Sequence, residues 1–200
     1  MTAPTIVLWD VMGTLVHDPF YVEVPAFFDT SLDDLLRVKH PTAWVECETG
    51  TMSVEDMEKN FFADGRPVDV EGLRATMRNA YVLLEGMDAL LDELRAAQVQ
   101  MHVVSNYTGW YAMIEDELRL SSWMSWSFVS CDIGVRKPDP RYYETVLERL
   151  GVAGVECVFI DDRASNCEGA RAAGMHAIRF DGAVSVRTAL AQLGVAGLSS

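Results

Sequence analysis

The chain has little positive charge: 16 Lys and Arg stand against 30 Asp and Glu, a formal net charge of −14 over 200 residues. That balance speaks against nucleic acid and against an anionic membrane surface as partners. Cysteine is scarce too. Cys47, Cys131, Cys157 and Cys167 form no C-x-x-C pair and have no paired histidine spacing, so neither a disulfide framework nor a zinc site is expected, and all four read as reduced thiols in or near the core. No apolar run approaches the ~18 residues of a membrane span. Met-Thr-Ala-Pro at the start carries no basic patch and leads into an apolar run too short for a signal peptide, which reads as a cytoplasmic protein. Repeats and low-complexity tracts are lacking as well. What is present is 50% hydrophobic residues, enough for one sizeable core with at most a small insertion.

The first strong pattern is Ile6-Val7-Leu8-Trp9, four apolar residues that run into Asp10 and then Val11-Met12-Gly13-Thr14-Leu15. It reads as a strand buried on both faces that stops at a sharp turn, with Asp10 at the carboxyl end where open parallel sheets bind ligands. A helical tract follows, roughly Tyr21 to Tyr81, with start signals at Ser31, Ser53 and Asp69 and breaks at Pro41, Gly50 and Gly65-Arg66-Pro67. About four helices without an intervening strand do not fit a strand–helix alternation, so the tract is expected to be an inserted helical module that packs on itself and acts as a lid. From Gly86 the alternation resumes. Strands are predicted at Met101–Ser105, Phe128–Cys131, Val155–Ile160 and His176–Phe180, with helices at Met87–Gln98, Gly109–Leu118, Arg141–Leu150, Ala164–Ala173 and Val184–Leu193.

The expected fold is therefore α/β, a Rossmann-like parallel sheet with helices on both faces and a small α-helical cap. Residues 1–16 and 84–200 form the core, and residues 17–83 the insertion. In such a sheet Asp10, Ser105 and Asp161-Asp162 all come to one edge, with Lys137 on the turn Arg136-Lys137-Pro138-Asp139-Pro140. Three carboxylates crowded there would repel by several kcal/mol unless a cation sat among them, and an all-oxygen donor set favours Mg²⁺.

At this point the residues resemble the haloacid dehalogenase superfamily, whose four motifs appear in order along the whole chain. They are Asp10-Val-Met-Gly-Thr-Leu15, Val104-Ser105-Asn106, Lys137 in Gly-Val-Arg-Lys-Pro-Asp-Pro, and Phe159-Ile-Asp-Asp-Arg-Ala-Ser-Asn166. The resemblance implies a Rossmann-like core with an α-helical cap and a covalent mechanism in which Asp10 is the nucleophile. It also implies that Ser105 donates to a phosphoryl oxygen beside the Asn106 backbone N–H, that Gly13 and Thr14 help bind substrate, and that Lys137 neutralises charge in the transition state. The metal is assigned to Asp10, the Met12 main-chain carbonyl, and Asp161 or Asp162. Asp162 aligns better as the direct ligand, with Asp161 as a supporting or alternative one. A small phosphorylated molecule is the expected substrate, and the protein is expected to be a monomer or homodimer.

Met12 departs from the pattern. Phosphatases of this superfamily usually carry an Asp two residues after the nucleophile, as acid to the leaving alkoxide and then as base to water. A thioether cannot move a proton, and a positioned acid/base supplies ~10²–10⁴ in rate. An uncharged residue there is similar to 2-haloacid dehalogenases and to phosphonoacetaldehyde hydrolase. A carbon–halogen hydrolase, or an impaired member serving as a binding module, therefore stands beside the phosphatase reading. Lys39 and Lys59, the insertion's only lysines, are expected at the surface. His17, Asp18, Phe20, Tyr21, Trp44 and Phe61 could line the cavity, and Trp123-Met-Ser-Trp126 is read as an exposed apolar patch suited to dimerisation.

Overall fold

The computed structural model describes residues 3–198. At its centre lies β1 (Ile6–Trp9), flanked on one side by β2 (Gln100–Ser105) and β3 (Ser125–Val129) and on the other by β4 (Cys157–Asp161) and β5 (His176–Arg179). All five strands are parallel in the order β3-β2-β1-β4-β5. The chain leaves β1 toward one edge and later crosses to the other, so β1 is the switch point, where the carboxyl ends open a crevice. The register sets Trp9 beside Val103 on one strand and Ile160 on the other, so Asp10, the residues after Val103 and Asp161 emerge together.

Between β1 and β2 stand α1 (Glu23–Phe27), α2 (Leu32–Val38), α3 (Ala43–Glu48), α4 (Val54–Lys59) and α5 (Val70–Ala80), then α6 (Met87–Ala96). After β2 come α7 (Tyr111–Leu118), α8 (Ser130–Ile133), α9 (Pro140–Leu150), α10 (Ala164–Ala172) and α11 (Ala183–Gln192). Alternation along β1 divides the core in two. Val7 and Trp9 pack with Leu91 of α6, Ile114 of α7 and Val186 of α11, whereas Ile6 and Leu8 pack with Tyr142 and Tyr143 of α9 and Cys167 of α10. Helices thus cover both faces, as expected of a parallel sheet.

The local signals act as their chemistry dictates. Ser31, Ser53 and Asp69 accept from the backbone N–H of Asp34, Asp56 and Gly72, capping α2, α4 and α5. The insertion also holds α1 and α3, whose first residues follow Val22 and Thr42, neither of which makes a side-chain cap hydrogen bond. Its apolar residues do not close on themselves. Leu35, Cys47, Met57 and Leu73 belong to one cluster with Tyr107, Trp110 and the sheet residues Val7 and Trp9. The two chain crossings into the insertion are paired, His17 N–H donating to the Val82 carbonyl and Leu84 N–H to the Leu15 carbonyl, both at 2.9 Å.

Three expectations need correction. The strand expected at Phe128–Cys131 lies at Ser125–Val129, because Ser130 starts α8 and turns Cys131 into a helix. Val155 and Glu156 fall in a 3₁₀ turn before β4. The Trp123–Trp126 stretch is not an exposed apolar patch: Met124 is buried, Trp123 Nε1 donates to Asp92 at 2.7 Å, and Trp126 stacks on Tyr111 and donates to Glu115 at 2.8 Å. All four cysteines are free thiols, and no helix among the described residues is long and apolar enough to cross a membrane.

Candidate active site

Lys137 is the hub of the sheet's carboxyl edge. Its side chain is 1% exposed, and its Nζ donates at 2.7 Å to Asp10 Oδ1, to Asp161 Oδ2 and to the Val104 carbonyl at the end of β2. Three acceptors use all three ammonium protons. The Asn106 side chain fixes this loop from the other strand, its Oδ1 accepting from Lys137 N–H and its Nδ2 donating to the Lys137 carbonyl, both at 2.8 Å. Burial alone would push the Lys137 ammonium down, but Asp10 and Asp161 reverse this and hold it above its ordinary value.

Each acid is held differently. Thr14, fully buried, donates to Asp10 Oδ2 at 3.2 Å and accepts from Asp162 N–H at 3.1 Å, tying the turn after β1 to the end of β4. Asp161 is fully buried; besides Lys137 it accepts from Asn166 Nδ2 on both oxygens and from Arg163 N–H. The Asp162 carboxylate forms no ion pair or side-chain hydrogen bond among the described residues and lies beside Gly13, where a Cβ would sit 3.0 Å from its Oδ2. Gly13 also has φ +75, so both its conformation and the close approach of Asp162 require glycine.

Carboxylate oxygens of Asp10, Asp161 and Asp162 lie within 4.8 Å of one another. Burial, only partly offset by Lys137, raises Asp10 to about 7. Burial and Asp161 raise Asp162 as well. Excess negative charge and hard oxygen donors fit a divalent cation of the Mg²⁺ type. The Met12 carbonyl fits as a further donor, since the backbone bonds that close this turn run from Gly13 N–H to Val16 O and from Leu15 and Val16 N–H to Val11 O, leaving it unused. Asp162 has the freer carboxylate and Asp161 the one consumed by Lys137 and Asn166.

Two cavities meet here. The smaller, about 50 Å³, is bordered by Asp10, Asp162, Lys137, Asn106, Met12, Arg136, Arg163 and Glu48. The larger, about 210 Å³, is walled by Phe20, Tyr21, Trp44, Tyr107 and Met77 together with Lys39, Asp18 and the Met12 side. Asp18, Phe20, Tyr21 and Trp44 therefore line the cavity as expected. His17 is held by Glu23 at 3.0 Å, and Phe61 packs in the insertion's aromatic cluster with Phe28 and Phe62. Ser105 is buried at the end of β2 and, like Gly13 and Thr14, borders neither cavity. Lys39 is not a surface lysine: it walls the larger cavity, where burial lowers its ammonium. Sequence reasoning missed Glu48, Arg136 and Arg163. The two arginines adjoin motif residues Lys137 and Asp162, but nothing in the sequence marks Glu48.

The family model for haloacid dehalogenase-like hydrolases matches residues 4–174. The chain is a hydrolase and belongs to that family. It is 47% identical, over 95% of its length and 78% of the relative's, to the chloroplastic Flavin mononucleotide hydrolase 1 of Arabidopsis thaliana. It is 26% identical, over 86% of its length and 67% of the relative's, to a Phosphoglycolate phosphatase of Pseudomonas savastanoi pv. phaseolicola. Among solved structures, a haloacid dehalogenase family enzyme of Bacteroides thetaiotaomicron, a mutant in complex with magnesium and inorganic phosphate, superposes with a TM-score of 0.72 at 18% identity, covering 89% of this chain and 94% of the other. At that identity the likeness is one of fold.

Proposed function

We propose that the protein is a Mg²⁺-dependent phosphatase that hydrolyses a small phosphorylated organic molecule through Asp10. The observation that carries this reading is the buried Lys137 ammonium bonded at 2.7 Å to both Asp10 and Asp161, with the Asp162 carboxylate beside them. Lys137 and Thr14 aim the Asp10 carboxylate, and the cavity above it leaves room for one phosphoryl group. Asp10 attacks phosphorus and forms an aspartyl phosphate, which water then hydrolyses. Lys137 neutralises charge as it builds, while the backbone of Asn106, which borders the cavity, receives a phosphoryl oxygen. Asp10, Asp162 and the Met12 carbonyl would hold the metal, with Asp161 supporting from behind. The cation supplies positive charge to a phosphoryl group entering a site that already holds three acids.

Residues 17–83 act in this reading as a cap whose Phe20, Tyr21 and Trp44, together with Tyr107 of the core, form the aromatic wall that receives the leaving group. Given the most similar curated relative described above, flavin mononucleotide is the first substrate to test and phosphoglycolate the second. Met12 at the site favours one other reading, a carbon–halogen hydrolase, whose leaving halide needs no proton. Phosphate and halide release from the two phosphate esters and a set of 2-haloacids, measured with Mg²⁺ and with excess chelator, separates them. Mg²⁺-dependent phosphate release is expected. Halide release that persists in chelator would replace the phosphatase reading, and no turnover at all would leave a binding module.

A further inference from the structure

The phosphatase reading leaves one task unassigned, because Met12 stands where a proton donor is needed. We propose that Glu48, delivered from the inserted helices at the end of α3, is the acid and base of the reaction. The proposal rests on the phosphatase reading and adds a catalytic residue to it.

Glu48 is 6% exposed, yet it borders both the small cavity that holds Asp10 and the larger one that receives the leaving group. It stands at the junction where a leaving oxygen must lie. One side of its carboxylate is anchored, Oε1 accepting from Trp44 Nε1 at 2.7 Å one helical turn earlier. The other is held by charge alone: Oε2 is buried and ion-paired with the Arg136 guanidinium at 3.2 Å, but receives no hydrogen bond. An oxygen that no donor holds in hydrogen-bond geometry keeps a lone pair free to take up a proton or to pass one on.

The other carboxylates are accounted for. Asp10 is the nucleophile and Asp162 faces the metal. Asp18 reaches only the larger cavity and spends one oxygen on Phe20 N–H at 3.0 Å, while His17 is bound to Glu23. Burial raises the Glu48 carboxyl above its ordinary value, against the pull of Arg136, Trp44, Arg163 and Lys137. A raised carboxyl is the direction that suits a general acid in this place.

The steps balance. As Asp10 bonds to phosphorus, the bond from phosphorus to the leaving oxygen breaks with its electron pair on that oxygen, and the Glu48 carboxyl proton passes to it. Water then attacks the aspartyl phosphate, Glu48 takes the water's proton, and Asp10 leaves as a carboxylate. Ester and water become alcohol and phosphate, and Glu48 is protonated again.

The test measures kcat/KM, which covers the step that expels the alcohol, for a series of phosphate esters from aryl to alkyl. Wild type, Glu48→Gln, Met12→Asp and the double variant are compared. Glu48→Gln is expected to lower the alkyl esters by roughly 10²–10⁴ and leave the aryl esters, whose leaving groups need no proton, nearly unchanged. Met12→Asp is expected to restore the alkyl rate in the Glu48→Gln background while adding little to wild type, the non-additivity of two residues that fill one role. Should Glu48→Gln fail to fold, Glu48→Asp keeps the charge facing Arg136, withdraws the acid by one methylene and predicts the same selective loss. Equal loss on aryl and alkyl esters would make Glu48 a structural partner of Arg136, and an unchanged alkyl rate would place the donor elsewhere; either overturns the proposal alone. A wild type that releases phosphate from no ester overturns the phosphatase reading, and this proposal with it.

Discussion

The two walls of the active-site cavity are built on opposite principles. On the sheet side the groups, Asp162 apart, are held several times over: Lys137 has three acceptors, Asp161 four bonds from three donors, and Asp10 two. On the inserted side the groups have fewer partners, Glu48 one hydrogen bond from Trp44 and one ion pair with Arg136, and Lys39 half-buried over the Phe20 ring. Strand ends fix position because their backbone is locked into a ladder on both sides; a helix of six residues such as α3 fixes little by itself. On the proposed mechanism the rigid wall makes the bond to phosphorus, and the softer one selects the leaving group and moves the proton.

That contrast breaks most visibly at the proposed nucleophile. Asp10→Asn is expected to abolish phosphate release from every ester while the circular dichroism spectrum stays that of the wild type, because Asn keeps the size and Thr14 contact but cannot attack phosphorus. Retained turnover would remove Asp10 from its role. Lys137→Met should cost stability as well as activity. It leaves Asp10 and Asp161 buried and facing each other without their shared cation, and losing one partner of a buried pair costs about 3–5 kcal/mol. Urea midpoints measure the loss. The same substitution at Lys39 on the softer wall should change the midpoint little, and equal losses at the two lysines would erase the distinction drawn here.

The rigid wall was also the legible one. Asp10, Ser105, Lys137 and Asp161 stand at strand ends or on a Pro-bounded turn, and the apolar run before each strand-end residue announced it in the sequence. The capped helices α2, α4 and α5 were legible through Ser31, Ser53 and Asp69, whereas α1 and α3 lack a capping side chain and were hidden. Glu48 was therefore invisible twice over. It sits at the end of an uncapped helix, and its significance comes from Trp44 and Arg136, which only the folded chain brings to it. The tryptophans near β3 misled for a related reason: an indole N–H finds a carboxylate across the fold, at Asp92 or Glu115, that no local pattern foretells.

A proton on Asp10 sharpens the comparison in metal-free protein. Its carboxyl is raised to about 7, so between the ordinary carboxylate range and about 7 the native state holds a proton that the unfolded chain releases. Stability contributed by this group therefore falls as pH rises through that window and is level above it. In excess chelator, Asp10→Asn should match wild type at the acidic end and exceed it by a few kcal/mol at pH 8. A constant difference across the window would contradict this. Added Mg²⁺ should recover much of the loss, by about 2.7 kcal/mol at a hundred times its Kd, and Asp162→Ala should remove that gain in melting temperature. A gain that survives Asp162→Ala would move the metal to other donors.

The smallest effect is expected where the two walls join. Closure of residues 17–83 over the site has to act through the paired crossings, and their two hydrogen bonds, His17 N–H to Val82 O and Leu84 N–H to Leu15 O, report directly on it. Both amides lie beside exposed or half-buried residues and belong to no long strand, so their exchange in the free protein should be fast relative to Trp9 or Val103 in the sheet. A phosphate mimic such as vanadate, held between Asp10 and the inserted wall, favours the closed arrangement and should slow exchange at His17 and Leu84 with no change at Val103. Equal slowing at all three would mean global stabilisation by ligand. Unchanged exchange at both crossings under saturating vanadate would mean that the inserted helices form a fixed wall, and that substrate enters without any opening at this joint.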